Sequence, residues 1–244
     1  MIGIISAMRE EINALFDQLQ DVSKIYKGKR TYYSGVLYGK NVVLVFSRWG
    51  KVAAAATTTQ LINDYEIDEI IFTGVAGSIH SDLDIGDIVI GRNLYQHDMD
   101  ASPLFNKFEI PIIKKTFIET TTNLNLIDST RLFLNNYSDY IDNTLAITFN
   151  ISTPKVVHGD IASGDQFISS ISKVKQLNKE IPTAICVEME GAAVAQVCYE
   201  YEVPFSIIRI ISDKADDNSS IDFPLFANRV ASKYPLGILK NYFT

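Results

Sequence analysis

The chain has 244 residues, 47% hydrophobic and 21% charged, a balance that supports a buried core and excludes a disordered chain. Its formal net charge of −7, with basic runs no longer than pairs such as Lys114-Lys115, excludes a nucleic-acid groove and an anionic membrane surface, both of which need clustered Lys and Arg. The length suits one α/β domain over 1–244.

No window is apolar for long enough to span a bilayer, and the opening Met1-Ile2-Gly3-Ile4-Ile5-Ser6-Ala7-Met8 lacks the basic and apolar regions of a signal peptide. Cys186 and Cys198 both sit among apolar residues, which predicts two buried thiols in a reducing, cytoplasmic setting. His80, His97, His158 and the cysteines show no metal-ligand spacing, so neither metal nor cofactor is expected.

Residues 2–5 read as a buried strand and 9–20 as a helix with Ile12, Leu15, Phe16 and Leu19 on one face. Residues 31–37 and 41–46 read as a hairpin around Tyr38-Gly39-Lys40. A helix over 52–65 precedes a strand over 69–73, which runs into the loop Gly74-Val75-Ala76-Gly77. Further strands are predicted over 87–95, 156–161, 184–187 and 205–212, with helices over 127–134, 191–201 and from 222 onward. Strands interleaved with helices predict a mixed, largely parallel central sheet with helices on both faces, a three-layer α/β/α order. Ligands of such sheets bind beyond the carboxyl ends of the strands.

Three strand ends carry acids: Glu10-Glu11 after the first, Glu188-Met189-Glu190 after 184–187, and Ser212-Asp213 after the last. In an extended segment Glu188 and Glu190 project to one side and Met189 to the other. Acids at a helix start are often dipole partners, and Ser-Asp before a helix is often a cap. Glu188 and Glu190 fit such readings less well, because they directly follow an apolar run and buried acids are rare without a partner. Carboxylates converging from separate strands suit glycosidic hydrolysis, which needs an acid for the leaving group, a base for water and negative charge beside an oxocarbenium-like sugar.

Five motifs occur in order: Ile4-Ile5-Ser6-Ala7-Met8-Arg9-Glu10-Glu11, Thr73-Gly74-Val75-Ala76-Gly77, Ala162-Ser163-Gly164-Asp165-Gln166-Phe167, Val187-Glu188-Met189-Glu190-Gly191-Ala192 and Arg209-Ile210-Ile211-Ser212-Asp213. Together they resemble the 5'-methylthioadenosine/S-adenosylhomocysteine nucleosidases of the nucleoside phosphorylase superfamily. The resemblance implies a nucleoside phosphorylase-like fold, a nucleoside substrate and a homodimer. It implies that Glu11 activates water, Glu190 accepts hydrogen bonds from the ribose hydroxyls, and Met189 packs on the sugar. Asp213 would protonate adenine N7 with Ser212 orienting it, Phe167 would stack on adenine, and the main chain at Phe167 and Ile168 would read its edge. Phe223 would line the 5' pocket, and Phe105 of a neighbouring subunit would close it. The implied substrate-binding set also takes in Val75, Glu188 and Arg209.

Phosphorylases that resemble this family hold phosphate with arginines near the positions of Glu11 and Phe72, so a carboxylate and a phenyl ring there favour hydrolysis. Ser47-Arg48-Trp49-Gly50 departs from the nucleosidase pattern Ser-Gly-Ile-Gly, and Val75 replaces a common Ser. Arg48 reads as an exposed loop residue rather than an anion ligand, and Trp49 as a space-filler. Gly-Val-Ala-Gly, with Met-Arg-Glu-Glu and Gln-His-Asp, looks like relatives that also accept 6-amino-6-deoxyfutalosine. A non-catalytic nucleoside-binding protein on this fold would be expected to lose Glu11, Glu190 or Asp213, and all three are present. The Gly74–Gly77 loop lacks the spacing of a dinucleotide-binding loop.

Overall fold

The computed structural model describes residues 1–216 and 218–244, with the side chains of Ser220 and Ile221 outside the description. The chain opens with β1 (Ile2–Ser6), a tight 3-10 turn (Arg9–Glu11) and α1 (Asn13–Phe16). Strands β2 (Gln20–Lys27), β3 (Arg30–Leu37) and β4 (Lys40–Phe46) lead into α2 (Lys51–Asp64), β5 (Glu69–Ser78) and β6 (Ile88–Gln96). The short β7 (Ile118–Glu119), α3 (Leu124–Asn135) and α4 (Asn143–Thr148) precede β8 (Val156–Ser163), α5 (Ile171–Glu180) and β9 (Ala184–Glu188). The chain closes with α6 (Gly191–Glu200), β10 (Phe205–Asp213), α7 (Ser219–Phe226), a π-helical stretch (Ala227–Ala231) and α8 (Lys233–Phe243).

The sheet is mixed, as expected, but parallel pairings do not dominate it: among the described residues five strand pairings are parallel and five antiparallel. It also closes on itself. β10 pairs with both β5 and β6, β6 with β8, β8 with β9, and β9 returns to β5 through Gly77 opposite Val187. From this ring the sheet runs out through β1, β4 and β3 to β2 at its edge.

Alternation along the strands feeds two cores. Ile4, Ile71 and Ile208 face a cluster with Phe133 of α3 and Ile238 of α8, while Ile5, Phe72 and Ile207 face one with Leu61 of α2 and Val194 of α6. The hairpin forms as expected, with Tyr38 and Gly39 at φ of 48° and 78°, the left-handed pair a tight two-residue turn needs.

The expected helix over 9–20 is instead broken at Ile12, whose φ of −131° is not helical. Its apolar stripe is real, since Ile12, Leu15 and Leu19 are buried, but the backbone breaks next to Glu11, whose side chain folds back onto the Met8 N–H. β2 was not expected, because it is exposed along its whole length and so carries no alternation. Gly74-Val75-Ala76-Gly77 is not a loop: β5 continues to Ser78, held by β10 on one side and β9 on the other.

Ile71→Ala is expected to lower the unfolding free energy by about 2–5 kcal/mol, because Ile71 is fully buried in the ring. Ile147→Ala, on exposed α4, is expected to change it by less than about 0.5 kcal/mol. Urea titrations with matched slopes check the pair, and equal losses would misplace the core.

Candidate active site

The carboxyl ends of β1, β5, β9 and β10 surround a cleft. Ten of the expected site residues line it: Glu11, Val75, Phe167, Ile168, Glu188, Met189, Glu190, Ser212, Asp213 and Phe223. No Lys, Arg or His side chain lines it among the described residues.

Glu11 is placed by the turn after β1. Its Oε2 accepts from Ser6 Oγ at 2.6 Å and from the Met8 N–H at 2.9 Å, and its Oε1 from the Val75 N–H at 3.0 Å. The neighbouring Glu10 is exposed and points elsewhere. Gly74 makes room for Glu11: a Cβ there would lie 2.8 Å from Oε1.

Glu188 and Glu190 do not continue one extended strand. β9 ends at Glu188, and Glu190, at φ −136° and ψ −35°, starts α6. Glu188 is spent on the protein. It accepts from Arg209 Nη2 at 2.6 Å, from the Gly191 N–H at 2.8 Å and from the Ser163 hydroxyl. Glu190 takes a single donor, the Gly50 N–H at 2.7 Å, and otherwise faces the cleft.

Asp213 ends β10 at a bulge. Ile211 pairs with Ala76 and Asp213 with Gly77, leaving Ser212 as the extra residue. Bulges re-aim side chains, and this one turns Asp213 into the cleft. Its Oδ2 accepts from Ser212 Oγ at 2.8 Å and its Oδ1 from the Ala215 N–H at 2.9 Å. A Cβ on Gly77 would crowd Oδ1 at 3.0 Å.

Aromatic rings form the remaining wall. Phe223 lies 5.9 Å from Phe167 and 6.2 Å, edge to face, from Trp49. Trp49 is therefore part of the site, not a buried space-filler, and it is 57% exposed at the mouth. Arg48 turns away and donates to the Lys29 carbonyl at 2.5 Å.

Two expected residues are not in the lining. Arg209 is 1% exposed and sits behind the cleft, gripping Glu188, donating to the Phe72 and Ile208 carbonyls and stacking over the Phe72 ring at 4.2 Å. It supports a site residue from behind the wall, where its Nε, Nη1 and Nη2 all donate to protein acceptors. Phe105 is partly exposed and lies outside its own chain's cleft. Ser6, Gly50, Ser163 and Gln166 carried no role in the sequence reading, yet the first three hold carboxylates and Gln166 lines the cleft. Ser6 and Ser163 were visible inside the motifs, but a serine's role depends on the acid it meets across the fold.

Burial sets the electrostatics. It pushes the carboxyls of Glu11 and Asp213 above their usual range against their hydrogen-bond donors, and, aided by Glu188, it raises Glu190 to about 8. Glu190 therefore keeps its proton at neutral pH, and positive charge placed beside these acids is favoured.

Fold and cleft together define an α/β protein with one cleft walled by buried carboxyls and aromatic rings. Residues 1–244 match the family model described as the phosphorylase superfamily. The 5'-methylthioadenosine/S-adenosylhomocysteine nucleosidase of Staphylococcus aureus strain bovine RF122 / ET3-1 is 36% identical over 232 residues, covering 95% of this chain and 94% of that one. The nucleosidase of this name from Colwellia psychrerythraea 34H, in complex with adenine, matches with a TM-score of 0.85 at 30% identity over 98% of this chain and 94% of its own. The Neisseria meningitidis one, in complex with methylthio-immucillin-A, gives 0.82 at 33% identity, with 98% of each chain covered. Futalosine hydrolase of Helicobacter pylori strain 26695 gives 0.82 at 34% identity over 99% and 96%. The chain belongs to the phosphorylase superfamily, within its 5'-methylthioadenosine/S-adenosylhomocysteine nucleosidase family.

Folded Glu190 keeps its proton to about pH 8, whereas an ordinary glutamate releases it near 4.5. The folded state thus binds more protons across that window, and stability falls as pH rises through it. Glu190→Gln removes this contribution, so its melting temperature is expected to fall less than the parent's between pH 5 and 8. Identical slopes in the two proteins would contradict a raised Glu190.

Proposed function

We propose that the chain hydrolyses the N-glycosidic bond of 5'-modified adenosines, giving adenine and the 5'-modified ribose. The carrying observation is that Glu11, Glu190 and Asp213 meet in one cleft whose described lining contains no cationic side chain. Phosphorolysis needs a cation to hold phosphate, and buried carboxylates repel that anion. At ~4 Å and an effective dielectric of about 20, two like charges cost about 4 kcal/mol.

Adenine is a poor leaving group until N7 is protonated. Burial lets Asp213 keep its proton to higher pH, and Ser212 and the Ala215 N–H stabilise the carboxylate left after transfer. As C1'–N9 breaks, the bonding electrons go to the base and the proton of Asp213 goes to N7. Positive charge then builds on the sugar, where an ionising Glu190 strengthens its hydrogen bonds to the ribose hydroxyls. Glu11, steadied by Ser6 and two backbone N–H groups, takes a proton from the water whose oxygen bonds to C1'. Phe167 stacks on the base, the main chain of Phe167 and Ile168 reads its edge, Met189 packs on the sugar, and Phe223 with Trp49 borders the 5' group.

One second reading is 6-amino-6-deoxyfutalosine as the main substrate, with the same base and ribose contacts, supported by the similarity to the futalosine hydrolase of Helicobacter pylori. We also propose a three-layer α/β/α domain over 1–244, supported by the two cores on opposite sides of β1, β5 and β10. A homodimer is supported by Leu104, Phe105 and Ile112, exposed apolar side chains on one connection, with Phe105 closing the neighbour's cleft. The free buried thiols Cys186 and Cys198 support a reducing, cytoplasmic setting.

Adenine release from methylthioadenosine, S-adenosylhomocysteine and aminodeoxyfutalosine is expected to be the same with and without phosphate. Detection of a ribose 1-phosphate product would reverse the reading. Asp213→Asn is expected to bind nucleoside but lose ~10²–10⁴-fold in turnover. Glu11→Ala is expected to be inactive and Glu10→Ala near normal; the opposite pattern would exchange their roles. Phe105→Ala is expected to raise KM while leaving the sedimentation of a dimer unchanged, and a monomeric parent would refute the shared cleft.

A further inference from the structure

Outside the cleft wall, three charged residues join two segments that face the ligand. Asp98, two residues beyond β6, accepts through Oδ1 from Lys51 Nζ at 2.6 Å and through Oδ2 from the Asp165 N–H at 2.8 Å. Asp165 accepts through Oδ1 from the Lys51 N–H at 2.7 Å, at the first residue of α2. Lys51 Nζ also reaches Gln96 Oε1 at 3.1 Å. The triangle is closed, and the Lys51 and Asp98 side chains are each only 17% exposed.

Both ends of the triangle continue directly into the site. Gly50, the residue before Lys51, gives Glu190 its hydrogen bond, and Trp49 stands at the mouth. Two and three residues after Asp165 come Phe167 and Ile168. The segments are packed without slack. Gly50 has φ of +92°, and a Cβ there would meet Asp165 Oδ1 at 2.9 Å; a Cβ on Gly164 would meet the buried His97 ring at 2.4 Å. A misplacement of 1 Å in a site costs up to ~10²-fold in rate.

We propose that Lys51, Asp98 and Asp165 form a positioning clamp that sets the spacing between Glu190 and the Phe167–Ile168 wall, and so the simultaneous grip on ribose and base. The clamp rests on the reading of the cleft as a nucleoside site, though its geometry can be tested apart from it. Lys51→Met and Asp98→Asn are each expected to lower kcat/KM for methylthioadenosine on the order of tenfold. Lys51→Arg is expected to restore most of the lost rate, and assays well below each variant's melting transition ensure that the losses report position rather than unfolding. The double variant is expected to be no worse than the poorer single one, since both break one unit. Single variants within twofold of the parent, or losses that multiply in the double variant, would overturn the clamp. Trp49 is the only tryptophan of the chain, so its emission reports on this junction without substrate. Should the parent release no adenine from any nucleoside, the functional reading fails and fluorescence alone decides. Red-shifted, more iodide-quenched emission in both variants then supports the clamp, and unchanged emission refutes it.

Discussion

Four carboxyl groups and one guanidinium are buried together where β5, β9 and β10 end. Arg209 neutralises Glu188 at 2.6 Å, and breaking such a pair from one side typically costs 3–5 kcal/mol because the other charge is left unmatched. Among the described residues, Glu11, Glu190 and Asp213 have no cation of their own within hydrogen-bond reach. Their stabilisation comes from hydroxyls of Ser6 and Ser212 and from backbone N–H groups of Met8, Val75, Gly50 and Ala215. Delivering those N–H groups is what the strand ends, the bulge at Ser212 and the start of α2 accomplish, and the glycines at 74 and 77 leave space for the carboxyls they serve.

This choice of partners shapes the chemistry. A lysine or arginine in the wall would steady the acids, but it would also invite phosphate. Neutral donors steady them without that invitation, and burial holds their carboxyls above the usual range. The same burial costs stability near neutral pH and favours positive charge placed beside the acids.

Much of the site was legible in the sequence because its acids and aromatics sit in short motifs at strand ends. Glu11, Glu188, Glu190 and Asp213 could be found without knowing which strands were neighbours. What escaped depended on neighbours. Arg209 shares a motif with Asp213 and was read as a ligand contact, since nothing local says that its side chain runs beneath the cleft to Glu188. Gly50 and Ser163 act on acids 140 and 25 residues away. The fold shows the same division. Alternating and apolar strands were readable, while exposed β2 and the glycine-rich end of β5 carry pairing that is set by the sheet rather than by their own side chains.

The closure of β5, β10, β6, β8 and β9 into a ring bears on how the molecule breathes. Every one of these strands is hydrogen-bonded on both sides, so none can peel away as an edge strand does. Their amide protons belong to a unit that opens only when the whole ring opens, and the parts free to fluctuate are the connections that leave it. Glu188 ends β9 and Asp213 ends β10, so these two acids are anchored on the frame, whereas Phe223 lies on α7, one of the connections that leave it. The aromatic wall around Phe223 can therefore fluctuate without disturbing the acids fixed at the strand ends.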